Sequence, residues 1–139
     1  QDMSGKVALK AVATDSELMG VVETWVKDLA RGDYAGAYAL TDHDPYYGWT
    51  PELIRKVIAG YGLPMEHADG VVYRVTSPGD AVGSPGEKSV ERVSGHERLV
   101  GFLYYDLPLN GEWSDLTASF RLESVDDTLN IILEEIHVL

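Results

Sequence analysis

The sequence predicts an α+β fold in which three N-terminal helices pack on a curved antiparallel sheet of about five strands. Apolar residues recur at the helical period up to Tyr61 and then alternate along the chain after Gly70. The pair Asn110-Gly111 is the strongest short signal for a hairpin turn. Helices followed by a meander of strands favour an α+β layout, because the helices can then cover one face of the sheet.

The helix starts and ends are marked by capping residues. Thr14 and Glu17 have the spacing of a capping box, so the first helix is predicted to begin at Thr14 or the next residue, and Gly32 ends it. Asp33 can cap a second, shorter helix. Thr50-Pro51 begins a third helix, with the cap residue first and proline next.

The predicted strands cover 71–76, 89–93, 99–109, 115–123 and 129–138. Between them, the segment 77–88 holds three Gly and two Pro and is predicted to be a loop. The first hairpin turn is Asn110-Gly111, and the second is Asp126-Asp127. No clear strand lies between the second and third helices.

The length of 139 residues fits a single domain, assigned to 14–139 after an N-terminal tail 1–13. Gln1-Asp2 is interpreted as an expression scar before a native start at Met3, the alternative being an exported N-terminus at Gln1. The absence of cysteine excludes disulfides and thiol chemistry and fits a reducing cytoplasm, which is the expected location.

Charge limits the partners of the chain. Eleven Lys and Arg stand against 23 Asp and Glu, a formal net charge of −12. Nucleic acid and anionic membranes are excluded as partners, because both attract a net basic face. No run of 18 apolar residues is present that could span a membrane. Residues 99–139 hold eight acidic residues and only Arg121, so the acidity is concentrated in the last strands.

The two hairpin turns each fix a register, and both registers assign the same side chains to one face. The second turn places Phe120 opposite Leu133, and the first places Tyr105 opposite Leu116. The shared face is apolar and is predicted to carry the helices. It comprises Leu99, Leu103, Tyr105, Leu116, Phe120, Leu122, Ile131 and Leu133.

The first helix end, Leu29-Ala-Arg-Gly-Asp-Tyr34, and the closing hairpin from Trp113–Thr117 to Glu134–Val138 resemble the nuclear transport factor 2-like superfamily. This superfamily includes SnoaL-like polyketide cyclases and ketosteroid isomerases, and the resemblance covers nearly the whole chain from Thr14. It implies an α+β cone with an interior pocket, in which an Asp, His or Tyr serves as acid or base. The pocket-lining residues expected here are Trp49, Tyr61, Phe120 and Leu133.

The predicted register turns Glu135 and His137 inward, near Tyr105. A carboxylate beside an imidazole on an apolar wall has the perturbed pKa values that proton transfer requires. An enzyme would then be a cofactor-independent cyclase, isomerase or dehydratase, with Glu135 or His137 as base and Tyr105 orienting or protonating the substrate. The alternative is that Glu135 and His137 lie at the open end of the fold and satisfy each other.

The outward face of the predicted sheet is apolar enough to suggest a covered surface. The resembling superfamily often forms a homodimer through it. Asp106 and Asp115 lie opposite each other in the predicted register, which is unfavourable unless a cation compensates or the strand bulges. The predicted partner-binding residues are Phe102, Tyr104, Asp106, Asp115 and Glu134.

The leading functional hypothesis is a non-enzymatic protein-binding domain that forms a homodimer, such as an immunity-type inhibitor of a basic toxin. Solubility alone also explains the acidity. The other hypotheses are the enzyme above and a ligand-binding pocket without chemistry. No metal or other cofactor is expected, since Asp42, His43 and Asp44 are adjacent turn residues that rarely converge on one ion. No Gly-rich phosphate loop, nucleophile elbow or zinc-binding helix motif is present.

Overall fold

The structure, a computed structural model, describes residues 9–10 and 12–139 and confirms the predicted α+β class. Three helices, α1 (Asp15–Ala30), α2 (Tyr34–Leu40) and α3 (Pro51–Ala59), pack against one face of an open sheet. The predicted capping box is present, since the Glu17 amide donates to Thr14 Oγ1 over 3.1 Å and the Thr14 amide to Glu17 Oε1 over 2.9 Å. The predicted caps of the two shorter helices are also in place.

The sheet is mixed rather than wholly antiparallel. Its strands are β1 (Leu9–Lys10), β2 (Asp42–His43), β3 (Lys88–Arg92), β4 (Leu99–Leu109), β5 (Glu112–Val125) and β6 (Thr128–Val138). The spatial order is β1-β6-β5-β4-β3, and β2 runs parallel to β6. The two-residue strand β2 lies between the second and third helices, where the sequence showed no clear strand.

The predicted strand at 71–76 is wrong, because only Val75 forms an isolated bridge, to Leu109. The facing residue Pro108 has no N–H to donate, which prevents a regular ladder. The side chain of Asn110 takes over part of the pairing, accepting from the Arg74 amide over 2.9 Å and donating to the Val72 carbonyl over 3.3 Å. The segment is therefore held by this side chain together with two backbone bonds, from the Thr76 amide to the Pro108 carbonyl and from the Asn110 amide to the Arg74 carbonyl, each over 2.9 Å.

The space between the helices and the sheet is filled. Trp25 of α1 meets Phe120 of β5 edge to face, with ring centroids 5.1 Å apart. Phe120 and Leu133, predicted to line a pocket, are fully buried in this core. The predicted inward face is otherwise confirmed, except for Leu99, for which the prediction is wrong: a bulge after it pairs Leu99 with Glu123 on the other face, where it is half-buried.

One bulge corrects the predicted pairing of β4 with β5. The register shifts between Asp106 and Pro108, so Asp106 pairs with Thr117 and not with Asp115. The like-charged pair that the simple register implied is thereby avoided, as the bulge alternative predicted. This shift moves the pairing by two residues, so residues 101–106 keep their predicted faces. A second shift, between Leu99 and Gly101, pairs Leu99 with Glu123 of the opposite face.

A second bulge, at Glu134 on β6, reverses the predicted orientation of the strand end. Phe120 pairs with Leu133 as predicted, but the next pairs are Ser119 with Glu135 and Ala118 with Ile136. The prediction that Glu135 and His137 face inward is therefore wrong, and Ile136 occupies the inward position, 3% exposed. The physical reason is desolvation, since a regular register would bury a carboxylate and expose an isoleucine.

Candidate functional site

Two hollows meet at the C-terminal half of β6. The first, here called the β6 groove, has a volume of about 390 Å³ and lies between the loop after β2, α3 and β6. It is lined by Tyr47, Trp49, Leu53, Val57, Gly62, Pro64, Glu135, Ile136 and His137. The second, the outer hollow, has a volume of about 370 Å³ and opens on the sheet face away from the helices. It is lined by Asp44, Tyr46, Tyr47, Tyr104, Ser119, Glu134, Glu135, His137 and Leu139.

Three polar side chains form the border between the two hollows. The Tyr47 hydroxyl donates to Glu135 Oε1, and His137 Nδ1 lies 3.0 Å from Glu135 Oε2. The hydrogen bond to Glu135, with burial and nearby negative charge, raises the pKa of Tyr47 to about 12. At neutral pH the phenol thus keeps its proton and acts as a donor to the carboxylate.

The loop that carries Tyr47 is fixed to the edge of β6. The Trp49 indole N–H donates to the Glu134 carbonyl over 3.0 Å, and the Asp44 amide donates to the Leu133 carbonyl over 2.9 Å. Gly48 lies between the two aromatic residues with φ of 62°, a conformation that glycine adopts without strain. Both rings are thereby held against the strand end that carries Glu135.

The sheet segregates its charges. On β3, Lys88 and Arg92 face the helices, and Arg92 lies 2.6 Å from Asp15 while Lys88 lies 3.4 Å from Glu23. Glu91 faces the other way and pairs with Phe102. Of the Lys and Arg in β3 to β6, Arg121 alone lies on the sheet face away from the helices, here called the outer face. The outer face carries Glu91, Phe102, Tyr104, Asp106, Thr117, Ser119, Arg121, Glu123, Ile132, Glu134, Glu135 and His137.

Arg121 is fully engaged by acidic neighbours. Its guanidinium lies 3.0 Å from Asp44, 2.9 Å from Glu123 and 3.0 Å from Glu134. Burial opposes its charge, but the three hydrogen bonds outweigh burial and raise its pKa. Arg121 therefore cannot also neutralise the other carboxylates of the outer face.

The negative potential of this face acts on Tyr104. Burial, followed by the negative charges of Glu91, Glu134 and Glu87, raises the pKa of its phenol. Phe102 stacks beside it, with ring centroids 6.4 Å apart. The outer face thus combines half-buried aromatic rings with Glu91, Asp106 and Glu135, which are not among the ion-pair partners of Arg121.

Tyr105 does not belong to this site. It is fully buried on the helix side of the sheet, and its hydroxyl donates to both oxygens of Glu23, over 2.9 and 2.7 Å. Lys88 Nζ lies 5.1 Å from its ring centroid. The predicted trio of Glu135, His137 and Tyr105 is therefore split between opposite faces of the sheet.

The remaining predicted residues have structural partners. Asp106 accepts the Glu87 amide over 2.8 Å and the Thr117 hydroxyl over 2.6 Å. Asp115 lies in the first bulge, where it accepts the hydroxyl of Tyr61. Tyr61, predicted to line a pocket, thus contacts this hairpin and lines neither of the two hollows. Trp49, Phe102, Tyr104 and Glu134 are the predicted binding or lining residues that the site brings together.

The turn residues Asp42, His43 and Asp44 point to different partners. The His43 ring stacks on Tyr38 at 3.8 Å, and its Nε2 lies 2.9 Å from the Tyr38 carbonyl. Burial lowers the pKa of His43. Within 9–10 and 12–139, no group of three or more His, Cys, Asp or Glu is placed to hold a metal ion. None of the helices in these residues is long and apolar enough to cross a membrane.

These features define a small α+β protein with an aromatic and acidic surface at one sheet edge. The chain belongs to the family described as Domain of unknown function (DUF7668), which matches residues 26–139. The match includes every residue that lines the β6 groove and the outer hollow. No curated protein and no solved structure matches the chain.

Proposed function

We propose that this protein is a non-enzymatic binding domain for a basic protein, which it recognises through the outer face. The observation that carries the proposal is the outer hollow, where Tyr46, Tyr47 and Tyr104 stand beside Asp44, Glu134 and Glu135. Aromatic rings with adjacent carboxylates suit a lysine or arginine side chain, which gains a cation–π contact and an ion pair together.

The charge of the whole face favours the same partner. The carboxylates of the outer face outnumber its single guanidinium, and that guanidinium is already shared by two of them and by Asp44. Such a face accelerates association with a basic protein and repels acidic ones. An immunity-type inhibitor that covers a basic toxin would use this chemistry.

A second copy of the chain is a less favourable occupant of the same face. A two-fold homodimer through it would place equally acidic surfaces against each other, at a cost that only a cation could offset. The apolar side chains Phe102 and Ile132, which suggested a dimer from the sequence, are half-buried and buried within the protomer. A basic protein, and not a second copy of the chain, is therefore the partner that we propose for this face.

The test compares two double variants with the same change in charge. Tyr46→Ala with Glu91→Lys alters the outer face, whereas Met65→Ala with Asp127→Lys alters exposed residues elsewhere. Partners captured from a host extract by the wild type are identified, and their affinities are measured from about 50 to about 300 mM salt. We expect basic partners, binding that weakens with salt, and a loss of about tenfold or more for the outer-face variant alone. Acidic partners, or equal losses for both variants, would contradict the proposal.

A further inference from the structure

The β6 groove has features that the binding of a basic protein does not require. Its walls are apolar and come from three elements: Trp49 from the loop, Leu53 and Val57 from α3, and Ile136 from β6. Its volume of about 390 Å³ lies within the range of small-molecule sites. Trp49 is 6% exposed and fixed by its indole bond to β6, so this wall is formed before any ligand binds.

The polar groups lie together on β6 and the facing loop. Tyr47, Glu135 and His137 are the groove's titratable side chains, and Glu135 bears its negative charge. Tyr47 donates to one oxygen of Glu135, and His137 Nδ1 lies 3.0 Å from the other. Each carboxylate oxygen has two lone pairs, so Glu135 can still accept a hydrogen bond from a ligand.

The electrostatics of the groove select the charge of that ligand. No Lys or Arg lines it in the part of the chain that the structure describes. Glu134 and Asp44 lie on the adjoining outer hollow and add negative potential. An anionic ligand would face an uncompensated carboxylate, whereas a cation would gain a charge-assisted hydrogen bond and the faces of Tyr47 and Trp49.

We propose that the β6 groove binds a small amphipathic amine, with its ammonium group on Glu135 and its apolar body between Trp49, Leu53 and Ile136. The groove shares Tyr47, Glu135 and His137 with the outer hollow, whereas Leu53, Val57 and Ile136 of its apolar wall line the groove alone. The inference does not depend on the proposed function, because the amine would bind the free protein.

Three probes of matched shape test the charge: 2-phenylethylammonium, 2-phenylethanol and 3-phenylpropanoate. Binding to the wild-type chain is followed by amide chemical shifts in NMR. We expect the ammonium to bind about tenfold tighter than the alcohol or the carboxylate, because the charge-assisted hydrogen bond is the stronger one. The shifts should be confined to the residues that line the groove.

Two variants locate the site. Glu135→Gln keeps the size and the Tyr47 contact but removes the charge, so it should abolish the preference for the ammonium, whereas Glu112→Gln, at an exposed position outside the groove, should not. Leu53→Trp fills the groove and should block all three probes. Equal affinity for the three probes, an unchanged preference in Glu135→Gln, or no shifts at millimolar concentration would overturn the inference. Leu53 lines the β6 groove and not the outer hollow, so a loss of probe binding in Leu53→Trp that leaves partner capture intact would leave the proposed function standing.

Discussion

Tyr105 shows how one residue can look catalytic in a sequence and prove structural in a fold. Its phenol is buried against the Glu23 carboxylate, and burial is the main reason that its pKa lies far above the ordinary value for tyrosine. Lys88 lies beside both, close to the ring and 3.4 Å from Glu23. The group ties α1 to β3 and β4, and Tyr105 itself is fully buried within it.

Replacing this phenol should therefore change stability and not binding. Tyr105→Phe removes the phenol donor of the partly buried Glu23 carboxylate and leaves it only Lys88, at 3.4 Å, so the free energy of unfolding should fall by about 1–3 kcal/mol. Urea denaturation followed by fluorescence measures the change. Tyr46→Phe, at a position 84% exposed, is the matched control and should have almost no effect. If Tyr105→Phe left stability unchanged but lost amine or partner binding, Tyr105 would have a role in binding and not in stability.

Among the secondary-structure elements, β6 contributes residues to both hollows as well as to the core. Up to Leu133 its side chains alternate as a regular strand, and after Glu134 the alternation restarts one residue later. The bulge puts Glu134 and Glu135 on the outer side, and it lets Ile136 join the core. The strand thus supplies core contacts and both hollows within five residues, 133–137.

The bulge can be distinguished from a regular strand by the change in the free energy of unfolding when the side chain at position 136 is truncated. Ile136→Ala should lower the free energy of unfolding by about 2–4 kcal/mol, because it leaves a cavity under α3. Val138→Ala, two residues on and 44% exposed, should cost less than about 0.5 kcal/mol. Thermal or urea unfolding measures both. Similar small losses at the two positions would mean that residue 136 points to solvent.

The helices, their caps and the two hairpins could be predicted because their signals are local. A cap such as Thr14 with Glu17, or a turn such as Asn110-Gly111, depends on residues within four positions of each other. The bulge at Glu134 could not be predicted by counting residue pairs from the hairpin turns, because that counting assumes unbroken pairing. A trace of it was nevertheless in the sequence, since a spacing of three residues from Leu133 to Ile136 breaks the two-residue period of a strand.

The contacts that form the outer hollow join residues far apart in the chain, so no local sequence pattern predicts them. Asp44 and Arg121 meet across 77 residues of chain, and Trp49 reaches the Glu134 carbonyl across 85. The aromatic loop 46–49 could be suspected of lining a pocket mouth, but its partner strand could not be identified. The two-residue pairing of β2 with β6 brings that loop to the site, and the Trp49 indole bond to Glu134 fixes it there.

Over the whole molecule, the fold distributes the charged residues unequally between the two faces of the sheet. Lys88 and Arg92 are used on the helix side against α1, so the outer face keeps five carboxylates against the single guanidinium of Arg121. The same arrangement brings the two proposed sites together at Glu135, which borders both hollows. Both proposals therefore depend on the orientation of the last residues of β6.

The most direct test of that orientation is thiol labelling, because the chain contains no cysteine. Single variants Glu135→Cys, Ile136→Cys and His137→Cys are treated with a maleimide under native conditions, and labelling in denaturant provides the reference rate. We expect the maleimide to label positions 135 and 137 fast under native conditions and position 136 slowly. Protection at 135 and 137 with fast labelling at 136 would restore the regular register and contradict both proposed sites.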